Sequence, residues 1–194
     1  MSFETVVIGA SQGGFSALKI LLAGLPKGFP AVVVIVQHRG KDSYGNILAP
    51  ALQKSCVLPV IEAEDKVKTR PGHVYIAPAD YHLLLERGSC SLSTDPPVIA
   101  ARPSIDVLFD SAADTYGNEL IGIILTGASE DGAQGLAKIK SYGGITLVQD
   151  PATASSPRMP QAALSACDVS KVLPLSEIAP YLVGLCISEN RVAS

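Results

Sequence analysis

Apolar residues occur in short runs that end abruptly in glycine-rich or polar segments. Four such runs cover residues 5–8, 31–36, 120–125 and 145–148, and none of them contains a charged residue. Uncharged runs rich in β-branched residues are typical of strands that are buried on both faces of a parallel sheet. The pattern therefore predicts an α/β protein in which these runs form the central strands.

Helical periodicity separates these runs. The apolar residues after the first run recur at helical spacing: Phe15, Leu18, Leu21 and Leu22. This spacing predicts a helix that begins at Gln12 or Gly13. Strand, helix and strand in direct succession form a βαβ unit, whose two strands are parallel. Further helices are predicted over residues 43–54, from Ser104 onward, around Leu136, over 159–164 and over 176–185.

Shorter strands are predicted over residues 57–61, 72–78 and 169–173. Residues 81–86 and 90–93 are predicted to form a hairpin around Arg87 and Gly88. We expect the first two of these strands and the hairpin as antiparallel additions to a mostly parallel sheet with helices on both faces, with the hairpin at one edge. The length of 194 residues predicts one domain over 1–194, with a core of about 5–186 and a frayed tail over 187–194.

Ser11 lies at the centre of the glycine-rich turn that follows the first run. A side chain between a strand end and a helix start faces unpaired N–H groups and the helix dipole, which favour negative charge. The pattern Gly-x-Ser-x-Gly matches a nucleophile elbow. The same residues nearly spell a dinucleotide fingerprint, and a structural turn without chemistry fits them equally well. On this segment alone the three interpretations stay open.

His38 follows the second apolar run directly. A dinucleotide fold requires an acidic residue at this point to hold the ribose hydroxyls, and the chain has Gln37 and His38 instead, so that interpretation loses support. Ser11 and His38 both lie where parallel strands end, which is where such sheets bind ligands. His38 is therefore a candidate base, with a structural role equally open. His73 and His82 are interpreted as structural or surface residues.

Asp131 lies in a second glycine-rich loop, over residues 126–135, which leaves the third apolar run. By itself it would be interpreted as a cap of the helix that follows. However, a hydroxyl nucleophile needs a base, and the base needs a carboxylate that holds its tautomer. Ser11, His38 and Asp131 together are therefore the candidate catalytic triad.

Composition excludes several classes of partner. The net charge is −3 and the basic residues are scattered, so no nucleic-acid partner is expected. Four widely spaced cysteines indicate reduced thiols, most of them in the core. The absence of a leader pattern and of a long apolar stretch predicts a soluble, cytoplasmic protein without membrane insertion. No histidines stand at ligand spacing, so we expect no metal and no cofactor.

With these segments in view, the chain resembles the catalytic domain of the chemotaxis protein-glutamate methylesterases, the CheB family. The resemblance extends from Val6 to about Leu185. Its carriers are Ile8-Gly9-Ala10-Ser11 with Gly13-Gly14, Val36-Gln37-His38, Pro-Gly-His-Val-Tyr-Ile-Ala-Pro at 71–78, Arg-Pro-Ser-Ile-Asp-Val-Leu-Phe at 102–109, and Leu125-Thr126-Gly127 with Asp131-Gly132-Ala133. The resemblance implies a doubly wound α/β sheet and a triad of Ser11, His38 and Asp131.

The resemblance also implies a reaction and its partners. Ser11 would attack the γ-methyl ester of a glutamate on the cytoplasmic domain of a methylated chemoreceptor, and some members of the family deamidate glutamines. His38 would act first as base and then as acid, without a cofactor. The oxyanion hole would fall on the backbone N–H groups of Gln12 and Ala128.

Several positions depart from the usual family pattern. Ala128 and Ser129 replace a Met-Gly pair, Arg39 follows His38 where Met or Pro is commoner, and Ala101 replaces a histidine. Typical members also carry an N-terminal receiver domain, whereas the first strand here begins a few residues after Met1. We therefore expect either a stand-alone esterase, with a separate receiver domain as a candidate regulator, or a fragment of a longer protein.

Two rival functions remain open from the sequence. The chain could be a serine hydrolase that acts on another ester or amide. It could also be a non-catalytic CheB-like module that binds a receptor or signalling partner, which the substitutions at Ala128 and Ser129 suggest.

Overall fold

The computed structural model describes residues 3–39 and 47–188. Within these ranges strands alternate with helices, except for four strands that follow one another in the middle of the chain. In chain order the elements are β1 (Thr5–Ala10), α1 (Gly14–Ala23), β2 (Val32–Gln37), α2 (Leu48–Gln53), β3 (Val60–Glu62), β4 (Val74–Ile76), β5 (His82–Glu86), β6 (Ser89–Ser93), α3 (Ile105–Tyr116), β7 (Leu120–Ile124), α4 (Ala133–Ser141), β8 (Ile145–Gln149), α5 (Arg158–Ala166), β9 (Lys171–Leu173) and α6 (Leu175–Ser188), with short 3₁₀ turns at Gly117–Glu119 and Pro151–Thr153.

Seven strands of the described ranges form one sheet in the order β3-β4-β2-β1-β7-β8-β9, and all of its neighbouring strands are parallel. The chain moves from β1 to β2 on one side and later enters β7 on the other side of β1. The strand order therefore reverses at β1, which opens a crevice at the carboxyl ends of these strands. The predicted doubly wound α/β sheet is confirmed.

Helices cover both faces of the sheet, so that each face has its own core. Side chains of α1, α2 and α6 pack on one face, and those of α3, α4 and α5 pack on the other. Along β1, Val6 and Ile8 point into the first core, and Val7 points into the second. A strand with two buried faces has no position for a charged residue, which explains the uninterrupted apolar runs.

The hairpin forms as predicted, but it is not part of the main sheet. Among the strands that the structure describes, β5 and β6 pair only with each other, in a separate antiparallel sheet. β5 lies against α3 instead: the Leu85 N–H donates to Ser111 Oγ (3.0 Å), and Thr115 Oγ1 donates to the Leu85 carbonyl (3.0 Å). The helix supplies partners that a sheet edge would otherwise supply. By contrast, β3 and β4 join the main sheet as parallel strands and not as antiparallel additions.

The helices agree with prediction except at their ends. α2 begins at Leu48, and Pro50 lies in its first turn, where proline is tolerated; residues 43–46 of the predicted helix lie outside the described residues. Ser104 caps α3 as predicted, since its hydroxyl accepts the Val107 N–H (3.4 Å). α6 reaches Ser188. Cys56, Cys90 and Cys186 are buried, which confirms the prediction that most of the cysteines lie in the core.

None of the helices in the described ranges is both long enough and apolar enough to cross a bilayer.

Candidate active site

Ser11 is the first residue after β1, at the reversal point of the sheet. Its backbone N–H donates to the Thr126 carbonyl (3.0 Å), which joins the end of β1 to the loop that follows β7. This loop approaches closely because residue 127 is glycine: an added Cβ there would lie 2.9 Å from Ser11 Cβ. The Ser11 side chain makes no hydrogen bond to a residue within 3–39 or 47–188. A hydroxyl without a fixed partner is available for chemistry.

His38 is the first residue after β2. Ala10 stands opposite Gln37 in the register of β1 and β2, so Ser11 and His38 form the next pair along the two strands. The His38 N–H donates to the Ala10 carbonyl (2.9 Å). Gln37 Nε2 donates to the Ser11 carbonyl (2.8 Å) and to the His38 carbonyl (2.9 Å), so its side chain ties the two segments together. The sequence showed only that Gln37 is not acidic, and this role was missed.

Asp131 lies within hydrogen-bond distance of the histidine. His38 Nε2 is 2.7 Å from Asp131 Oδ2, and the Asp131 side chain is fully buried. An ionised carboxylate only accepts hydrogen bonds, so Nε2 carries the proton of a neutral imidazole and Nδ1 keeps its lone pair. The structure thus brings His38 and Asp131 together and leaves Nδ1 as the basic nitrogen of the ring.

The start of α3 holds the Asp131 carboxylate. The Ile105 N–H donates to Oδ2 (2.7 Å), while Ser104 Oγ (2.8 Å) and the Asp106 N–H (3.0 Å) donate to Oδ1. The helix that follows Asp131 in the chain is capped by Gly132 and has no side-chain cap, so the interpretation of Asp131 as the cap of α4 is wrong. Its negative charge meets the positive end of a different helix.

These contacts decide the ionisation of Asp131. Burial alone would raise its pKa, but the hydrogen bond from His38, followed by those from the Asp106 and Ile105 N–H groups, outweighs burial and lowers the pKa below its usual range. Asp131 is therefore ionised at neutral pH, as a partner of the imidazolium must be.

Asp106 is a second carboxylate beside this site. Burial raises its pKa to about 6; the Gly135 N–H (2.7 Å from Oδ1) opposes this rise, and the negative charge of Asp131 adds to it. Between its ordinary pKa of 3.8 and about 6, the folded protein holds a proton that the unfolded chain has lost. This residue therefore makes the folded state less stable as the pH rises through that window.

Asp106→Asn removes this titration while it keeps an oxygen that can accept the Gly135 N–H. We expect the free energy of unfolding of the variant, relative to the parent, to increase by about 1–2 kcal/mol between about pH 4 and pH 7, since partial exposure screens the charge. Urea unfolding of both proteins across this pH range measures the difference. A difference that stays constant with pH would contradict the assignment.

The predicted oxyanion-hole residues lie in the two segments that meet at Ser11: Gln12 follows Ser11 in the chain, and Ala128 follows Gly127, which approaches Ser11 closely. Neither the Gln12 N–H nor the Ala128 N–H donates to a residue in the described ranges. Thr126 Oγ1 donates to the Gln12 carbonyl (2.9 Å) and so holds the peptide that joins Gln12 to Gly13. Ser129, one of the departures from the family pattern, accepts the Asp131 N–H at its hydroxyl (3.1 Å). The altered loop therefore keeps a defined hydrogen-bond structure next to Asp131.

A cavity of about 300 Å³ opens beside His38. Arg39 lies in its wall, with Nη2 donating to the Ala77 carbonyl (2.6 Å) and 3.4 Å from Glu62 Oε2. No group of three or more His, Cys, Asp or Glu side chains suited to a metal ion occurs in residues 3–39 and 47–188. His82, interpreted from the sequence as structural or surface, is buried and hydrogen-bonded to backbone at both ring nitrogens. His73 Nδ1 is hydrogen-bonded to the Pro71 carbonyl, and its ring stacks on that of Tyr75.

Fold and site together define an α/β domain that groups a serine, a histidine and a buried aspartate at the carboxyl edge of its sheet. Comparison with known proteins gives the family. The CheB methylesterase family profile matches residues 6–182, and the chain belongs to this family.

Individual relatives agree with this family. A Leptospira interrogans protein, provisionally named a protein-glutamate methylesterase/protein-glutamine glutaminase, is 47% identical over 95% of this chain and 96% of its own length. An Anaeromyxobacter dehalogenans protein with the same activities in its name is 47% identical over 90% of this chain, which spans only 51% of that protein. The crystal structure of the Thermotoga maritima CheB methylesterase catalytic domain matches with a TM-score of 0.89 and 37% identity, over 95% of this chain and all of that one.

Proposed function

We propose that this protein hydrolyses the γ-methyl esters of glutamate residues on the cytoplasmic domains of chemoreceptors, with Ser11 as the nucleophile. Membership of the CheB methylesterase family and the names of the relatives support this reaction. The observation that carries the proposal is the 2.7 Å hydrogen bond between His38 Nε2 and the buried Asp131, at the strand ends beside Ser11.

Acylation begins with proton transfer from Ser11 Oγ to His38 Nδ1. The freed oxygen attacks the ester carbonyl, and Asp131 stabilises the imidazolium that forms. The backbone N–H groups of Gln12 and Ala128 stabilise the negative charge on the tetrahedral oxygen; loss of one such donor costs about 10²-fold or more in rate.

Collapse of the tetrahedral intermediate breaks the bond to the methoxy group. His38 returns its proton to the leaving oxygen, so methanol departs and a glutamyl ester of Ser11 remains. Water then attacks this ester with His38 again as base, and glutamate is released. No step requires a cofactor.

The names of the relatives suggest deamidation of glutamine as a second activity. The same acyl-enzyme forms from a glutamine side chain when His38 protonates departing ammonia in place of methanol. Regulation by a separate receiver domain stays a prediction.

Incubation with methylated chemoreceptor membranes tests the proposal. We expect the parent protein to release methanol, and we expect Ser11→Ala to lower the rate by about 10⁴-fold or more because the acyl-enzyme cannot form. Circular dichroism checks that the variant is folded. Cleavage of a small activated ester without methanol release would instead favour a hydrolase for another substrate, and inactivity on both would favour a binding module.

A further inference from the structure

A tight turn at residues 98–101 lies next to the site in an unfavourable conformation. Val98 and Ala101 exchange backbone hydrogen bonds (3.1 and 2.8 Å), and the two residues between them, Ile99 and Ala100, have φ values of 47° and 58°. Positive φ at both central positions is the requirement of a type I′ turn, which favours Asn-Gly. A β-branched residue is especially disfavoured in this region. The turn therefore stores backbone strain, which in proteins concentrates at functional sites.

This strained turn also exposes apolar side chains. Ile99 is 46% exposed and Val98 is 37% exposed. The positive φ at residue 99 disfavours isoleucine, and contact with solvent disfavours both apolar side chains. An Asn-Gly pair at the two central positions would relieve both problems at once. Val98 and Ile99 are therefore suited to contact with another molecule and poorly suited to a tight turn.

Arg102 holds the two ends of the turn in place through hydrogen bonds. Its Nη1 donates to the carbonyls of Thr94 (2.9 Å) and Asp95 (3.1 Å), and its Nη2 donates to Asp80 Oδ1 (2.7 Å). One guanidinium group therefore ties the incoming chain, the outgoing chain and a neighbouring loop together. The apolar tip of the turn, Val98 and Ile99, is therefore held in position by the hydrogen bonds of Arg102.

His82 links the same loop to the catalytic carboxylate. The Ser104 N–H can only donate, so His82 Nδ1 accepts it (3.2 Å), and Nε2 carries the proton that is donated to the Pro96 carbonyl (3.1 Å). Ser104 in turn donates its hydroxyl to Asp131. The position of the turn is therefore fixed relative to the site.

The turn separates two depressions in the surface. On one side, Ala100 and Ala101 line the cavity beside His38. On the other, Ile99 lines a groove of about 310 Å³ against α4 and α5, with Glu130, Ala133 and Ala162. The tip therefore borders the cavity in which an ester would lie beside His38.

We propose that the turn at residues 98–101 is the docking element for the substrate polypeptide, with Ile99 and Val98 packing against an apolar side chain that flanks the methylated glutamate. The inference rests on the proposed function for its substrate and on continuity with the His38 cavity for its occupant. A small ester has no flanking segment and cannot use this contact.

The double variant Ile99→Asn/Ala100→Gly tests the proposal, because it installs the preferred turn and removes the apolar tip. We expect its Tm to rise by a few degrees. The ratio of kcat/KM on methylated chemoreceptor to kcat/KM on a small activated ester should fall about 10-fold, through KM on the receptor. Val172→Thr, at an exposed apolar position on edge strand β9, should leave both the ratio and KM unchanged.

Binding separates this inference from the proposed function. In a Ser11→Ala background, affinity for methylated chemoreceptor membranes should fall about 10-fold when Ile99→Asn/Ala100→Gly is added. If the parent releases no methanol and this loss of affinity still occurs, the docking proposal is supported and the proposed reaction is contradicted. An unchanged ratio and unchanged affinity, or no binding at all in the Ser11→Ala background, would overturn the docking proposal.

Discussion

Asp131→Asn is expected to lower kcat for ester hydrolysis by about 10³–10⁴-fold. Every acceptor site on the carboxylate is matched to a donor: His38 Nε2 and the Ile105 N–H at Oδ2, and Ser104 Oγ and the Asp106 N–H at Oδ1. An amide must place its NH₂ group at one of these two positions. In either position the NH₂ faces a backbone N–H. In one of the two positions it also changes the tautomer of His38.

With the NH₂ at the position of Oδ2, the new amide would donate to His38 Nε2. The imidazole proton would then move to Nδ1, and Nδ1 could no longer accept the proton of Ser11 in the proposed reaction. With the NH₂ at the position of Oδ1, the tautomer survives but the negative charge that stabilises the imidazolium is lost. Both arrangements slow acylation.

The measurement is kcat on methylated chemoreceptor and on a small activated ester, since the effect belongs to the chemical step. Asp110→Asn is a matched control, because Asp110 lies on the exposed side of α3 and pairs only at the surface with Lys138 (3.4 Å). We expect that control to retain parental kcat. A loss smaller than about 10-fold in a folded Asp131→Asn protein would contradict the role given to the carboxylate.

Gly132→Ala is expected to lower the free energy of unfolding by about 3 kcal/mol or more. Gly132 has a φ of 97°, and an added Cβ would lie 2.6 Å from Ile105 Cγ2 and 2.7 Å from Ile124 Cδ1. Ile105 and Ile124 are fully buried and have no room to move. This close approach brings Asp131 against the start of α3, so the variant should lose activity as well as stability.

Gly88→Ala separates the cost of a positive φ from the cost of steric contact at the added Cβ. Gly88 also has a positive φ, of 78°, but nothing lies within 4 Å of its added Cβ. It should lose only the conformational part, about 1 kcal/mol. Urea unfolding of both variants compares the costs, and similar values would show that the Ile105 and Ile124 contacts are not tight.

The sequence predicted those features that depend on one segment at a time. The central strands follow from apolar runs, and Ser11 and His38 were selected as candidates because each lies just beyond the end of such a run. The cap at Ser104 was predicted from local preference. Each of these expectations needs only the chain within a few residues.

Features that depend on the packing of distant segments could not be predicted. Ser104 was expected to cap α3, but its donation to Asp131 requires that α3 begin beside the loop that follows β7. Gln37 bridges Ser11 and His38 only because β1 and β2 are neighbours in this register. The hairpin was placed at a sheet edge because its sequence does not reveal that α3 supplies its partners.

The central claim is that Ser11 is a nucleophile activated by His38 and Asp131. Reaction with a fluorophosphonate tests it directly, because an activated serine oxygen displaces fluoride and keeps the phosphonyl group. Mass spectrometry of the digested parent should place one adduct on Ser11, formed much more slowly in Asp131→Asn. An adduct on another serine, or none in a protein that still releases methanol, would contradict the claim.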